Sequence, residues 1–329
     1  MFSHILVPLD GSEVAERALP HVVVMARVFD AEVSLLHVME PPADSGFEQF
    51  LDILSWHIRE SEAESYINQQ ADRLRDEAQI DARVHLLQGK AAERILDHAH
   101  SHNVDLILIG SHGKTAKEEW NLSSVVKKVV ARAYTSIMLI PTREAEEVGL
   151  TDLDYRRILV PLDCSPRAER VLPEATHLAG QLNADLLFAH VVKEPEMPYA
   201  TMPAEEDRQL IERIEERKHE QADRYLSTLP LRIDAAAQTQ LVTSTKVERG
   251  LHAMVQEQDV DLMVLNAHGR SGSTRWPYGS TTAHFIEHSS IPLLVIQDLT
   301  IEAMQLTEAE RAAQSQGKRR PLPHSPGLL

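Results

Sequence analysis

A glycine-containing segment from Ile109 to Ser124 carries the residue types that most clearly suggest chemistry. It follows an apolar run that predicts a strand and precedes a run with helical periodicity. Gly110 and Gly113 let the backbone approach a ligand closely. Ser124 is placed to cap the following helix, and the free N–H groups of a helix start attract an anion such as phosphate. The segment therefore predicts a loop that holds phosphate groups.

A second segment of this kind, from Leu265 to Ser280, lies in the C-terminal half. The halves are related throughout, because Ile5–Ser12 recurs 153 residues later as Ile158–Ser165. The interval grows to 156 residues at the glycine loops, so the second half carries a net insertion of three residues before its loop. So long a period indicates a duplicated domain rather than a solenoid. The pattern predicts a nucleotide-binding α/β domain that occurs twice.

Both loops need a sheet to position them, and each half alternates predicted strands with predicted helices. This alternation implies two doubly wound, five-stranded parallel sheets of Rossmann-like type, with ligands at the carboxyl ends of the strands. Pro20 and Pro173 lie inside the first helical run of each half and are expected to break it. A long helix over 205–229 shows an apolar stripe at Leu210, Ile214, Tyr225 and Leu229. The predicted strands are 5–9, 32–39, 82–87, 104–109, 136–140, 157–162, 184–192, 237–242, 260–265 and 292–296.

Composition limits the classes of partner. The net charge of −17 argues against non-specific binding to nucleic acid or to anionic membranes, which both require a positive face. The lone cysteine, Cys164, cannot form an internal disulfide, which fits a reducing compartment. No apolar run approaches the ~20 residues of a membrane span, and the first strand begins too early to leave room for a signal peptide. We expect a cytoplasmic protein with no membrane partner and no nucleic-acid partner.

The length of 329 residues fits two domains. We expect them at 1–141 and 156–298, joined by an acidic linker over 142–155. The C-terminal tail, 299–329, ends in a proline-containing basic segment that is expected to be largely disordered.

The strand I-L-V-P-L-D at the start of each half, the loops G-S-H-G-K and N-A-H-G-R, and a serine at the next helix start resemble tandem domains of the universal stress protein (UspA) family. The resemblance covers about residues 1–141 and 155–298. ATP-binding members of that family share the pattern G-x2-G-x9-G-(S/T). The matching positions are Gly110, Gly113, Ser123 and Ser124 in the first half, and Asn266, Gly269, Gly279 and Ser280 in the second. Each half thus departs from the pattern at one glycine.

The resemblance implies a site for an adenine nucleotide, ATP in particular, with any Mg²⁺ brought by the nucleotide. The implied contacts to the base and its surroundings are Pro8, Asp10 and Val38 in the first half and Pro161, Asp163 and Val191 in the second, where the valines offer backbone groups. Ribose and phosphates would be held by the glycine loops with Ser124 or Ser280. From the residues themselves, two roles stay open for Lys114 and Arg270, a contact to phosphate and a solvated loop charge.

The two departures are expected to differ in cost. If the family glycine adopts a positive φ, a serine at 123 costs on the order of 1 kcal/mol in strain. Asparagine at 266 is milder, because this residue type tolerates the left-handed region.

Ordinary structural roles compete with several of these assignments. Asp10 and Asp163 are residues that commonly cap a turn. His112 and His268 fit loop hydrogen bonding better than catalysis, because the sequence offers no evident nucleophile or carboxylate partner. A P-loop at Lys114 is rejected, because the pattern G-x4-G-K-[ST] needs a glycine where this chain has Leu108.

Other histidines and the cysteine are also given structural roles. His98 and His102 are spaced to share a metal ion on a helix, but a solvated helix face is the favoured interpretation. His37 and His190 are expected to be partly buried. Cys164 replaces Gly11 of the repeat, and an inert thiol is expected because no resolving cysteine exists.

The favoured function is that of a nucleotide-binding stress-response or regulatory factor. Fast catalysis is not expected, because no residue set supplies the base, metal ligands and arginine of phosphoryl transfer. The alternatives are a nucleotide-free scaffold that binds a protein partner and a slow adenine-nucleotide hydrolase. The halves are expected to pair as a pseudo-dimer across 136–140 and 292–296, and further homodimerisation is left open.

Overall fold

The computed structural model describes residues 1–41, 49–112, 122–133, 135–141, 148–194, 205–233, 236–270 and 277–299. The predicted site residues Gly113 and Lys114 lie outside these ranges, as do the first six residues of the predicted linker, 142–147, and all but the first residue of the predicted tail.

The first half alternates strands and helices as predicted. Each predicted strand is present, and its ends move by at most two residues. The elements are β1 His4–Pro8, α1 Glu13–Glu16, α2 Leu19–Phe29, β2 Glu32–Met39, α3 Gln49–Ala78, β3 Ala82–Gln88, α4 Ala91–Ser101, β4 Leu106–Gly110, α5 Ser124–Arg132 and β5 Ser136–Ile140.

The second half repeats this order. A single 3₁₀ turn, Ala168–Val171, stands where the first half has α1. The elements are β6 Arg157–Pro161, α6 Leu172–Leu182, β7 Asp185–Lys193, α7 Glu205–Ile233, β8 Ala237–Ser244, α8 Val247–Glu257, β9 Leu262–Asn266, α9 Ser280–His288 and β10 Leu293–Ile296.

The predicted break at the repeated proline is confirmed. α1 ends at Glu16, and Pro20 lies in the first turn of α2. Pro173 has the same place in α6. A proline is tolerated there because the N–H groups of a first turn have no partner within the helix.

All ten strands belong to one sheet, in the order β3-β2-β1-β4-β5-β10-β9-β6-β7-β8. Pairing is parallel within each half. At the seam, β5 and β10 pair antiparallel, with Leu139 opposite Leu293 and Met138 opposite Leu294. The predicted pseudo-dimer is therefore confirmed, and it is built by strand pairing between the halves.

Helices cover both faces of this sheet, so its central strands are continuous apolar runs, whereas the edge strands β3 and β8 are only partly buried. One face carries Ile5, Val7 and Met138 against α2, α3, α6 and α7. The other carries Leu6 and Ile137 against α4, α5, α8 and α9. Successive residues of a strand point to opposite faces, so each strand serves both cores.

The apolar stripe predicted on the long second-half helix is buried only in part. Leu229 is buried, but Leu210 is 58% and Ile214 is 43% exposed. The 29 residues of α7 span about 44 Å, whereas the nine residues of β7 beneath it span about 30 Å. The helix is longer than the surface it covers, so its N-terminal apolar residues remain exposed.

The last part of the predicted linker packs into the protein. Leu150 and Tyr155 are buried, and the Tyr155 hydroxyl makes a short hydrogen bond with Nδ1 of His21 on α2. In the described residues, no helix combines the length and apolarity needed to cross a membrane.

Candidate functional site

In each half, the strand order brings the predicted site residues that the structure describes to one edge of the sheet. β1 lies between β2 and β4, so the strands that follow it are added first on one side of β1 and then on the other. Ligands of open α/β sheets bind in the crevice beyond the carboxyl ends of strands at such a switch point. Pro8, Val38 and Gly110 end or nearly end these three strands, and Asp10 follows the first. Pro161, Asp163, Val191 and Asn266 have the corresponding places in the second half.

The helix that follows the first loop begins one residue earlier than predicted. Ser123, not Ser124, is the capping residue of α5, and its Oγ accepts a hydrogen bond from the Val126 N–H at 3.3 Å. Ser123 also donates its own N–H to the Ser111 carbonyl at 3.0 Å. Its φ is −58°, so the strain expected for a serine at this position is absent.

The matching position in the second half, Gly279, caps α9 with φ −70° and no side-chain acceptor. Its N–H donates to the Ala267 carbonyl at 2.8 Å, as that of Ser123 does in the first loop. A Cβ at Gly279 would meet its nearest neighbour at an ordinary 3.6 Å. Neither half therefore requires a glycine here for backbone conformation or for space within the protein.

Asn266 stabilises the second loop through hydrogen bonds and does not adopt the left-handed conformation considered from the sequence. It ends β9 in a strand conformation and is buried. Its amide Nδ2 donates to the His268 carbonyl at 2.7 Å, and Thr282 Oγ1 donates to the Asn266 carbonyl at 2.9 Å. The side chain thus supplies one internal hydrogen bond where the family pattern has a glycine.

Both candidate base-binding aspartates make the turn contacts considered from the sequence. Asp10 Oδ1 accepts the Ser12 N–H at 3.1 Å, and Asp163 Oδ1 accepts the Ser165 N–H at 3.0 Å. Asp163 also reaches the second loop, where Oδ2 accepts a short hydrogen bond from the Arg270 N–H. The Arg270 guanidinium donates to the Asp163 carbonyl at 2.7 Å.

Gly269 makes that approach possible. A Cβ on Gly269 would collide with the Asp163 carboxylate. The glycine is therefore needed for the contact between the first turn and the glycine loop of the second half.

His268 is held by a hydrogen bond, as predicted, but its partner is a carboxylate that the sequence analysis did not find. Its side chain is completely buried, and Nδ1 lies 2.8 Å from Oδ1 of Asp298. Arg167 donates a short hydrogen bond to the other carboxylate oxygen. Burial raises the pKa of Asp298, but the hydrogen bonds from His268 and Arg167 outweigh burial and leave that pKa below its ordinary value. A fully enclosed imidazole cannot reach a ligand's reacting atoms.

The turn after the first strand is left-handed in both halves. Gly11 has φ +77°, and Cys164 at the equivalent place has φ +63°. Burial raises the pKa of the Cys164 thiol to about 11, which agrees with the inert thiol predicted. His37 and His190 are partly buried, as predicted, and each Nδ1 donates to the carbonyl of the residue before the aspartate, Leu9 at 2.8 Å and Leu162 at 2.6 Å.

The prediction of a solvated face for His98 is wrong. His98 is 4% exposed and packs its ring against those of His102 and His85, with ring centroids 3.9 and 4.4 Å apart. Periodicity within α4 gave no sign of His85, which comes from β3. Burial, and then the neighbouring histidines, lower the pKa of His98 to about 4.

A separate cleft of about 840 Å³ opens between the halves. Ser111, His112 and Tyr155 contribute to its lining, but none of the predicted site residues that the structure describes does. The cleft adjoins the first loop without being the predicted nucleotide crevice.

Comparison with known proteins identifies the family of both halves. The model of the universal stress protein family matches residues 1–141 and 154–297. A universal stress protein of Methanocaldococcus jannaschii is 27% identical over 152 residues, which are 44% of this chain and 86% of that protein. One from Thermus aquaticus is 33% identical over 145 residues, 43% of this chain and 99% of that protein.

Solved structures share the fold over about nine tenths of the chain. The crystal structure of a universal stress protein from Archaeoglobus fulgidus matches with a TM-score of 0.62 at 19% identity, and covers 89% of this chain and 98% of that one. A universal stress protein from Pseudomonas aeruginosa matches with the same TM-score at 16% identity, covering 90% and 93%. At this identity the match supports the fold alone.

Proposed function

The chain belongs to the universal stress protein family, and we propose that it binds an adenine nucleotide, ATP in particular, and acts in the cytoplasm as a stress-response or regulatory factor. Each of its two domains, 1–141 and 156–298, would offer one crevice at the carboxyl edge of its part of the sheet. The nucleotide would bring its own Mg²⁺. The protein is not proposed to be a fast catalyst.

One observation carries the proposal. The described residues of the family's phosphate-binding pattern lie where β4 ends beside the start of α5, and where β9 ends beside the start of α9. Helix starts supply N–H donors and a partial positive charge for phosphate oxygens. In α9 the capping glycine provides no side-chain acceptor, so the first-turn N–H groups have no side-chain cap.

The base and ribose would lie nearer the first turn. A carboxylate accepts the hydrogen bond of an exocyclic amino group, so Asp10 and Asp163 would serve adenine. Val38 and Val191, near the ends of β2 and β7, would present backbone groups to the base. Ser280 and Arg270 would face the ribose and phosphates in the second half. Binding there requires Arg270 to exchange its contacts with Asp163 for contacts with the nucleotide.

The contacts between Asp163 and Arg270 also support an alternative in which the second half binds no nucleotide. Because Asp163 and Arg270 already join the first turn to the glycine loop, the second crevice can be closed by the protein's own residues. A chain closed in this way in both halves would be a nucleotide-free scaffold whose acidic surface binds a protein partner.

The test is to denature freshly purified protein and to separate the released nucleotides by ion-exchange chromatography. One or two equivalents of adenine nucleotide per chain support the proposal and count the working crevices. Calorimetry with Mg-ATP then tests Asp10→Asn and Asp163→Asn separately, which keep the side-chain size and remove the charge. Empty protein that gives no heat with Mg-ATP contradicts the proposal and favours the scaffold.

A further inference from the structure

A group of three histidines lies where α8 and α9 pack together in the second half, away from the crevice described above. His252 comes from α8, and His284 and His288 lie one turn apart on α9. The Nε2 atoms of His252 and His284 are 3.2 Å apart. The rings of His284 and His288 stack with centroids 4.5 Å apart. His252 and His284 are partly exposed and His288 is exposed, so an ion can reach the group from solvent.

The spacing of the first two nitrogens suits a shared metal ion. Two metal–nitrogen bonds of ~2.0–2.1 Å at a tetrahedral angle place their nitrogens about 3.3 Å apart. The observed 3.2 Å needs almost no adjustment.

His288 holds the tautomer that a third ligand needs. Its Nδ1 lies 2.9 Å from the His284 carbonyl oxygen, and a carbonyl can only accept, so Nδ1 carries the proton. Nε2 of His288 therefore keeps its lone pair. A ligating histidine commonly donates its other ring N–H to a carbonyl in this way.

The local charge state also suits a cation. Glu248, one turn earlier on α8, is an acidic group close to the His252 ring and adds negative charge beside it. Neutral imidazoles favour Zn²⁺, Cu²⁺ and Ni²⁺ over Mg²⁺ and Ca²⁺, which prefer oxygen ligands.

We propose that His252 and His284, joined by His288, bind one late first-row divalent cation, with Zn²⁺ as the reference ion. Among the described residues, no three histidine, cysteine, aspartate or glutamate side chains already converge on one point. The His252–His284 pair therefore forms the site, His288 turns towards the ion on binding, and water fills the remaining position. This proposal does not depend on nucleotide binding.

The first half offers a natural comparison. α4 and α5 correspond to α8 and α9 with an offset of 156 residues, and the equivalent positions there are Leu96, Lys128 and Arg132. Conversely, the i,i+4 pair His98 and His102 of α4 corresponds to Met254 and Gln258 of the second half. Each pair can thus be replaced by residues that the same fold already accepts at the same place.

The experiment uses the full chain without a histidine tag, freed of metal by a chelator. Zn²⁺ binding is measured by calorimetry for the wild type, for the variant His252→Leu/His284→Lys, and for the control variant His98→Met/His102→Gln. We expect one Zn²⁺ per chain, at least a tenfold loss of affinity in the first variant, and unchanged affinity in the control. Mg²⁺ should give no saturable binding to any of the three.

Two further measurements identify the ligand atoms and check that the variant folds. Cu²⁺ bound to the wild type should show hyperfine splitting from two or three nitrogen nuclei in electron paramagnetic resonance. If His252→Leu/His284→Lys fails to fold by circular dichroism, the single variant His284→Gln replaces it. The proposal is overturned if wild-type protein binds no equimolar Zn²⁺, or if only the His98→Met/His102→Gln variant loses binding.

Discussion

His268 and Asp298 form a fully enclosed pair, with Nδ1 and Oδ1 2.8 Å apart and side chains 0% and 1% exposed. His268 belongs to the loop after β9, and Asp298 follows β10 at the seam between the halves. Arg167, from the segment after β6, donates to the same carboxylate. The second loop is thus fixed from two sides. In the first half, His112 Nδ1 instead lies 2.8 Å from Ser111 Oγ of its own loop.

Asp298→Asn is expected to lower the free energy of unfolding by about 3 kcal/mol, because Arg167 would lose its buried charge partner. Urea unfolding at pH 7 measures this loss. Asp185→Asn is the matched control, since Asp185 pairs with Arg157 at the exposed surface at 3.2 Å. Exposed pairs contribute at most about 1 kcal/mol. Equal losses in the two variants would contradict an important role for the enclosed pair.

His21 gives the protein a defined sensitivity to acid. Burial lowers its pKa from 6.5 to about 4 in the folded protein. As the pH falls from about 6.5 to 4, the unfolded chain takes up a proton that the folded protein does not, so stability falls. Between pH 7 and 5 the loss from this residue is about 2 kcal/mol.

The variant His21→Gln, which can still hydrogen-bond the Tyr155 hydroxyl, should lose that share of the pH dependence in urea unfolding at the two pH values. The pKa of His98 is also lowered in the folded protein, so His98 still gives the His21→Gln variant part of the pH dependence of stability. His100→Gln is the control, because His100 is exposed on α4. A variant slope equal to that of the wild type would show that His21 titrates normally.

The sequence predicts the sheet well because its central strands, such as β4 and β9, are buried on both faces and appear as nearly uninterrupted apolar runs. The duplication doubles that signal, and Ser136–Ile140 is predicted to the residue. Side-chain partnerships between distant segments leave no such trace. Arg167 and Asp298 are 131 residues apart, and His21 and Tyr155 are 134 apart. Periodicity also fails for Leu210, because it reports which residues share a helix face and not how far the sheet extends beneath them.

The left-handed turn after the first strand offers a reciprocal test of strain. Gly11 and Cys164 have nearly the same positive φ. Gly11→Ala should destabilise the protein by about 1–2 kcal/mol, because a Cβ is unfavourable in this conformation. Cys164→Gly relieves that strain but gives the unfolded chain more freedom, so its effect should stay within about 0.5 kcal/mol.

Chemical denaturation of both variants under reducing conditions measures the two changes. A loss for Cys164→Gly as large as that for Gly11→Ala would show that packing of the thiol, and not backbone strain, governs this turn.

The two helix starts at the candidate crevices differ in a way that the family pattern does not reveal. Ser123 and Gly279 both adopt negative φ and both donate N–H to the preceding loop, but only Ser123 accepts the Val126 N–H with its side chain. At Gly279 the first-turn N–H groups of α9 therefore have no side-chain acceptor. The sequence shows which residue stands at each position, but it does not show which donor that residue occupies.

This difference can be tested by exchanging the two residues. Ser123→Gly should strengthen Mg-ATP binding in the first half about fivefold. The Val126 N–H would then donate to a phosphate oxygen instead of Ser123 Oγ, at a gain of about 1 kcal/mol. Gly279→Ser should weaken binding in the second half by a similar factor, because a new side-chain acceptor would compete with phosphate for the donors of α9.

Calorimetry of each variant in a background that carries Asp→Asn in the other half, at Asp163 or Asp10, separates the two crevices. Both substitutions should change the free energy of unfolding by only a few tenths of a kcal/mol, as expected for serine and glycine at a helix start. If neither changes the affinity while both proteins still bind ATP, phosphate does not contact these helix starts, and the nucleotide lies elsewhere on the sheet edge.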